Sequence, residues 1–228
     1  MATHLPFDPR LARQVKTDTL TPCQHKTRPN FKTATDFRVQ HMIKHPYLSE
    51  FHSRAEHLNA GLLEGDPTVR SYIPQPFCVW IGKRRYTADC YIAREQSPPE
   101  VRELKPRAEF PDDQRIPLEQ FFAQHGMQFD VISNESVYER ETEAENWLEI
   151  VRVLHMARYL STTDAEQRVL EQLMTVDTAT LEDFIDPGDR ERTYYAEIAL
   201  FRLLHRGLLQ ASLADRPLNF DTEVQLCP

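Results

Sequence analysis

The texture of apolar and polar positions changes three times along the chain. Residues 1 to about 35 are rich in Pro, Thr and basic side chains with little periodicity, which predicts an extended arm, ordered on a partner or left as a loose tail. From Leu48 to Leu63, the residues Phe51, Ala55, Leu58 and Leu62 recur at helical spacing. An amphipathic helix is predicted there, with Ser49 as its N-cap and Gly65 as its stop. Four short runs rich in Val, Ile, Tyr and Phe follow: Val69–Ile73, Pro76–Ile81, Arg85–Ile92 and Pro99–Lys105. Gly82-Lys83 supplies a turn, so Phe77–Ile81 and Tyr86–Ile92 are expected to pair as a hairpin. Helix then strands makes an α/β unit running to about residue 110.

Pro111-Asp112-Asp113 looks like a linker or turn. Beyond it a short helix (Leu118–His125) and a short strand (Phe129–Ile132) precede a helical stretch. Glu143–Tyr159 places Trp147, Ile150, Val151 and Leu154 on one face. Thr163–Met174 opens on Thr163-Asp164-Ala165-Glu166, a capping-box pattern. Thr180–Ile185 is a short helix, and Arg190–Arg206 a longer one with Gly207 as its cap. Leu208–Ser212 and Leu218–Val224 complete the chain as a hairpin. Three helices and a hairpin form a winged-helix pattern. The expected division is therefore an arm (1–35), an α/β domain (36–110) and a mostly helical winged-helix domain (111–228).

Charge sharpens this division. The net charge of -8 hides an asymmetry. Residues 1–110 hold 17 Lys+Arg against 12 Asp+Glu, whereas residues 111–228 hold 10 against 23. A basic front half suits phosphate, and an acidic back half suits a basic partner surface. Six glycines, with no GxGxxG and no GxxxxGK[ST], argue against a nucleotide-cradling loop. The four cysteines form no CxxC pair, and the nine histidines show no HExxH, so structural or catalytic zinc is not expected. No apolar run approaches the roughly 20 residues of a membrane span, and the first residues lack a signal core. A cytoplasmic protein, nucleoid-associated when active, is expected.

The sharpest chemical signal is Asp89 on one strand followed by Glu103-Leu104-Lys105 on the next. Residues two apart in a strand share a face, so Glu103 and Lys105 point one way and Leu104 into the core. Asp89 lies on the face opposite Tyr86, Ala88, Cys90 and Ile92. If the strands are neighbours, Asp89, Glu103 and Lys105 converge. Carboxylates that hold magnesium, beside a lysine that orients water or stabilises the transition state, are what phosphodiester cleavage requires. Glu56, beside the apolar stripe of its helix, supplies a third carboxylate. The expected metal ligands are Glu56, Asp89, Glu103 and the backbone carbonyl of Leu104, for Mg2+ with Mn2+ as substitute. Lys83, Arg84 and Arg85 at the hairpin tip are candidate phosphate contacts, with Lys44, Lys16, Lys26, Arg28 and Lys32 extending the track. Gln75-Pro76 is read as structural, with Gln75 ordering the site. His52 and His57, which flank Glu56, are read as satisfied histidines.

The run Ser53-Arg54-Ala55-Glu56, then Leu62–Val69, Gln75-Pro76, Arg85–Asp89 and Glu103-Leu104-Lys105-Pro106 resembles the TnsA endonuclease family in order and spacing. The likeness is dense over residues 48–107, looser beyond, and absent from residues 1–40. It implies a restriction-endonuclease-like first domain and a winged-helix second. It also implies magnesium-dependent cleavage of the 5′, non-transferred strand at transposon ends during cut-and-paste transposition. A TnsB-type transposase would cut the other strand, and a TnsC-type AAA+ ATPase would be the partner of the winged helix. The family's carboxylates and lysine map onto Glu56, Asp89 and Lys105, and Glu103 falls where members carry Gln or Glu. Many members have Pro before the catalytic aspartate; here it is Ala88. Two alternatives share some of these features: a restriction or repair nuclease that acts alone, and a non-catalytic adaptor linking DNA to a partner ATPase.

Overall fold

The computed structural model describes residues 6–27, 32, 36–176 and 178–227. The chain is mixed α/β, and its contacts divide it into two units. The first gathers the described residues up to Val39 with Leu48–His57 and Thr68–Glu139; the second gathers Gln40–Tyr47, Leu58–Pro67 and the described residues from Arg140 on.

In chain order the first elements are α1 (Pro9–Ala12), β1 (Val15–Thr17), β2 (Arg38–His41), β3 (Leu48–Phe51) and α2 (Arg54–Gly65). Then come β4 (Val69–Pro74), β5 (Cys78–Ile81), β6 (Arg84–Thr87), β7 (Cys90–Arg94), β8 (Glu100–Lys105), α3 (Asp112–Gln124), β9 (Gln128–Ser133) and α4 (Asn134–Tyr138). One sheet has the order β4-β7-β8-β9. Its first three strands are antiparallel, and β9 runs parallel to β8 from Glu100↔Gln128 to Lys105↔Ser133. A second sheet, β1-β5-β6, is antiparallel throughout.

Several expectations shift here. The expected hairpin turns at Gly82-Lys83, where Gly82 takes φ +61°, and β5 pairs with β6. The single strand expected over Arg85–Ile92 is instead two. β6 belongs to the sheet of β1 and β5, β7 to that of β4 and β8, and the chain changes sheets at Ala88-Asp89. The boundary expected at residue 110 falls inside this unit. β9 completes the sheet, and α3 sends Leu118, Phe121 and Phe122 into one core with Phe77, Val79, Val101 and Phe129. Phe122 is fully buried; its truncation to Ala costs about 3–5 kcal/mol. α3 begins six residues before its expected start, with Asp112 and Asp113 in its first turn, where carboxylates suit the helix dipole. The arm is built into the unit over residues 6–27. β1 pairs with β5, the Asp8 N–H donates to Gln120 Oε1, and the Cys23 and His25 N–H groups donate to the carbonyls of Pro76 and Gln75. Arg28, and the arm residues outside those ranges, lie outside the described residues.

α2 starts later than its apolar stripe suggests, because Leu48–Phe51 is strand. Ser53, not Ser49, caps it: Ser53 Oγ accepts from the Glu56 N–H at 3.2 Å. Ser53-x-x-Glu56 is a capping-box pattern, which makes Glu56 turn back over the start of the helix. The helix does end at Gly65. A Cβ there would lie 2.1 Å from the Trp147 indole nitrogen, so this glycine serves close packing.

The second unit continues with α5 (Glu141–Met156), α6 (Thr163–Leu173), β10 (Ala179–Thr180), α7 (Arg190–His205), β11 (Leu209–Ala211) and β12 (Glu223–Leu226). Trp147, Ile150 and Leu154 of α5 pack with Val169 and Leu173 of α6, Ile198, Leu200 and Leu203 of α7, and Val224 of β12. The strands form a small antiparallel sheet of order β10-β12-β11. Thr162, one residue before the expected box, stands at the N-cap of α6. The expected helix at Thr180–Ile185 is a 3-10 turn over Leu181–Asp183. Gly207 takes φ +71° as expected of a cap. β12 starts at Glu223 rather than Leu218. The preceding loop is held by buried Asn146, whose Nδ2 donates to the Leu213 and Arg216 carbonyls and whose Oδ1 accepts from the Leu218 N–H.

Candidate functional site

Glu56, Asp89, Glu103 and Lys105 all lie in the first unit. β8 has a strand paired to each edge, and residues on both its faces are buried: Val101 and Glu103 on one, Leu104 on the other. Glu103 and Lys105 share a face, as their spacing requires, and the Lys105 ammonium pairs with Glu103 Oε1. The ammonium is the more open partner, its side chain 36% exposed against 3% for Glu103. The Tyr86 hydroxyl donates to the other Glu103 oxygen. Asp89 sits at the bend where the chain leaves β6 for β7, and its Oδ2 accepts from the Leu104 N–H at 2.8 Å. In an extended strand the N–H and C=O of one residue point to the same edge. The Leu104 carbonyl is therefore turned to the edge that Asp89 occupies.

Glu56 is reached from three directions. Its Oε1 accepts from Ser53 Oγ at 3.0 Å, and its Oε2 accepts from the His52 N–H at 3.1 Å and from Gln75 Nε2 at 2.6 Å. Gln75 follows β4 at φ +43°, and its N–H donates to the Asp89 carbonyl at 3.0 Å. One residue thus touches the elements that carry two of the carboxylates.

The four groups act on one another electrostatically. Burial raises the Glu56 carboxyl to about 7, with Glu103 adding to the rise and Lys105 opposing it. Burial pushes Asp89 well above the usual carboxylate range, helped by the charges of Glu103 and Glu56. Glu103 is also raised by burial, against the pull of Lys105 and Tyr86. For Lys105, burial works against the charged form, but Glu103, Asp89 and Glu56 outweigh it and raise its pKa. Tyr86 is raised far above the normal phenol range by burial and by Glu103. Three carboxylates thus share one ammonium in a place that water screens poorly.

Among the described residues, no group of three His, Cys, Asp or Glu side chains is arranged to hold a metal ion. Each carboxylate here is turned to a protein donor: Glu103 to Lys105 and Tyr86, Asp89 to the Leu104 N–H, and Glu56 to Ser53, His52 and Gln75.

Tyr86 carries no signal in the sequence, because a tyrosine on the strand face opposite Asp89 gives no sign of reaching Glu103 once the strand breaks. Ser53 is legible through its capping spacing, although the start of the apolar stripe points to Ser49. His52 and His57 are both held below their usual pKa by burial, His57 at about 4, and His52 Nε2 pairs with the Thr27 hydroxyl at 2.8 Å.

The basic candidates separate. Lys83, Arg84 and Arg85 are exposed around the β5–β6 turn. Lys44 is engaged elsewhere. Its ammonium donates to the carbonyls of Leu63, Glu64 and Asp66 at 2.7–2.9 Å, closing the end of α2. An ammonium has three donors, and these contacts make Lys44 a cap on the end of α2 in the second unit. Lys32 pairs with Glu50 and stands 4.8 Å over the Phe37 ring. Among the described residues, no helix is long and apolar enough to cross a membrane. Searches against family models and curated proteins give no match to this chain.

Proposed function

We propose that the chain is a magnesium-dependent DNA endonuclease that cuts the 5′ strand at transposon ends, as its resemblance to the TnsA family implies. The observation that carries this reading is the grouping of Glu56, Asp89 and Glu103 near Lys105: Lys105 pairs with Glu103, Asp89 accepts from the Leu104 N–H between them, and Gln75 joins Glu56 to the Asp89 carbonyl. The element order supports it. A helix, three antiparallel strands, a second helix and a parallel strand (α2, β4, β7, β8, α3, β9) are what a restriction-endonuclease-like core requires. In the second unit, three helices and a three-stranded antiparallel sheet, with β10 joining the β11–β12 hairpin, suit a winged helix.

The donor types, carboxylate oxygens and a strand carbonyl, suit a hard divalent cation once the carboxylates turn from the protein donors they face here, and their mutual repulsion is what such a cation would remove. Glu56, Asp89, Glu103 and the Leu104 carbonyl would hold Mg2+, or Mn2+ in its place. When bound, the cation neutralises charge on the phosphate oxygens and acidifies the attacking water. Tyr86 fixes the Glu103 carboxylate by donating to it. Lys105, the most exposed member, meets the scissile phosphate, orients the water and stabilises the added negative charge. Lys83, Arg84 and Arg85 hold the DNA backbone. A TnsB-type transposase cuts the other strand, and the acidic second unit docks a TnsC-type ATPase.

The test is cleavage of end-labelled transposon-end DNA with Mg2+ and the cognate partners, comparing wild type with Asp89→Ala. A 5′-strand nick made by wild type alone is the expected result. Equal cutting by the variant removes Asp89 from the site. No cutting by either, with every partner present, leaves an adaptor that links DNA to the ATPase.

A further inference from the structure

Gln75 is 2% exposed and occupies a left-handed backbone conformation that side chains other than Gly, Asn and Asp adopt rarely. Its four hydrogen-bonding groups face two ways. Toward the carboxylates, Nε2 donates to Glu56 Oε2 at 2.6 Å and the backbone N–H donates to the Asp89 carbonyl at 3.0 Å. Toward the amino-terminal segment, Oε1 accepts from Gln24 Nε2 at 3.2 Å and the carbonyl accepts from the His25 N–H at 3.2 Å. The Gln24 amide is anchored in turn on the Glu50 carbonyl at 2.8 Å. In its ionised form, the one a cation would hold, Glu56 accepts only, so Gln75 then presents its NH2 to Glu56 and its oxygen to Gln24.

We infer that Gln75 is a positioning residue for the cation site, and that Gln24–His25 belong to that site by fixing Gln75. The inference rests on the divalent-cation reading above. One side chain and its own peptide orient a ligand on a helix and a ligand at a sheet-changing bend, two elements that do not adjoin in sequence. Partners of this kind, which touch ligands and not the metal, typically change metal affinity by about 10–100-fold when removed.

The test is titration of the full-length chain with Mn2+ alone, read by calorimetry and by the loss of the free-ion electron paramagnetic resonance signal. Thermal melting serves as the folding control. Gln75→Gly suits the backbone, since Gly adopts positive φ without strain, and deletes only the side chain. Gln75→Met keeps the length and removes the donor. Both are expected to weaken Mn2+ binding about 10–100-fold while melting near the wild type, and Gln24→Ala to weaken it less, in the same direction. Mn2+ affinity within twofold of wild type in folded Gln75→Met overturns the inference and leaves the cation site standing. If the Gln75 variants do not fold, wild-type affinity in Gln24→Ala overturns the relay. Absence of Mn2+ binding by the wild type sinks the cation reading itself, and the positioning role with it.

Discussion

Both units bury glutamates, and they treat them in opposite ways. In the second unit Glu197 is 1% exposed and Glu64 fully buried. Arg190 meets Glu197 with two donors. Glu64 accepts from the N–H groups of Ile43 and Lys44 at 3.1 and 2.9 Å and pairs with His205 at 2.7 Å. Glu197 thus has an arginine of its own, and Glu64 two backbone N–H groups and a histidine. In the first unit, Glu103 pairs with Lys105, whereas Asp89 and Glu56 accept only from uncharged donors and feel that ammonium at longer range. All three are raised above the usual carboxylate range, with burial as the main cause. Burial of a carboxylate is therefore not what sets the proposed site apart. What sets it apart is a mutually repelling group of them, whose ionised forms a bound cation would favour.

The largest effect that bears on this contrast concerns Lys105. Lys105→Met removes the shared ammonium while keeping the length of the side chain. Nicking is expected to fall about 10²–10³-fold, the range seen when a charge-stabilising donor is deleted, with the loss in kcat and not in DNA affinity. Single-turnover cleavage beside a filter-binding titration separates the two. Undiminished cleavage would leave Lys105 a structural counter-ion only.

Opposite signs are expected when one carboxylate from each unit is neutralised. Glu197→Gln weakens a charge-assisted pair around a buried group and should destabilise the second unit by about 1–3 kcal/mol. Asp89→Asn keeps an oxygen to accept from the Leu104 N–H and removes a repelled charge. It should stabilise the metal-free protein by about 0.5–2 kcal/mol while abolishing nicking, a trade-off common at functional sites. Chemical denaturation of the two variants in EDTA decides. If Asp89→Asn is as destabilising as Glu197→Gln, the carboxylates of the first unit are structural as well.

The pH dependence follows with a defined sign. The Glu56 carboxyl titrates near 7 in the fold and near its ordinary value of 4.5 in the unfolded chain. Between those values the unfolded chain has released a proton that the fold retains. Without divalent cation, stability therefore falls as pH rises from about 4.5 to about 7, and Asp89 and Glu103, also raised, steepen the fall. Bound Mg2+ favours the ionised forms, so its stabilisation grows with pH, reaching about 2.7 kcal/mol at a hundredfold excess over Kd. Melting temperatures with EDTA and with Mg2+ across pH 5–8 test this. Parallel curves would mean that the cation does not bind at these groups.

Much of the contrast was legible in the sequence, through local rules. Glu103 and Lys105 share a face by strand spacing, and Glu56 is aimed by the Ser53-x-x-Glu56 cap. The long-range part was not. Asp89 lies at a change of sheet that no periodicity signals, because Arg85–Ile92 alternates like one continuous strand. Tyr86 reaches Glu103 only because of that break. The arm carries too few apolar residues to announce β1, whose pairing with β5 is a tertiary event. The boundary at Pro111 failed for a similar reason: β9 is a short apolar run whose partner, β8, lies more than twenty residues earlier.

The smallest effect separates the basic residues of the two units. Arg84 and Arg85 lie on β6 and Lys83 in the turn before it, all exposed, with Arg85 Nε also 2.7 Å from Cys78 Sγ. If each meets one phosphate, each change to Ala should reduce the slope of log affinity against log salt by about 0.9, uniformly across DNA sequences. Lys44, spent on three carbonyls at the end of α2, should leave that slope untouched. Lys44→Ala should instead lower stability by about 0.3–1 kcal/mol, through loss of a cation at a helix C-terminus. Salt titrations of DNA binding for the four single variants, each with its melting temperature, test this division. A reduced slope for Lys44→Ala would return Lys44 to the phosphate track. Unchanged slopes for all three hairpin variants would remove the β5–β6 turn from the DNA interface.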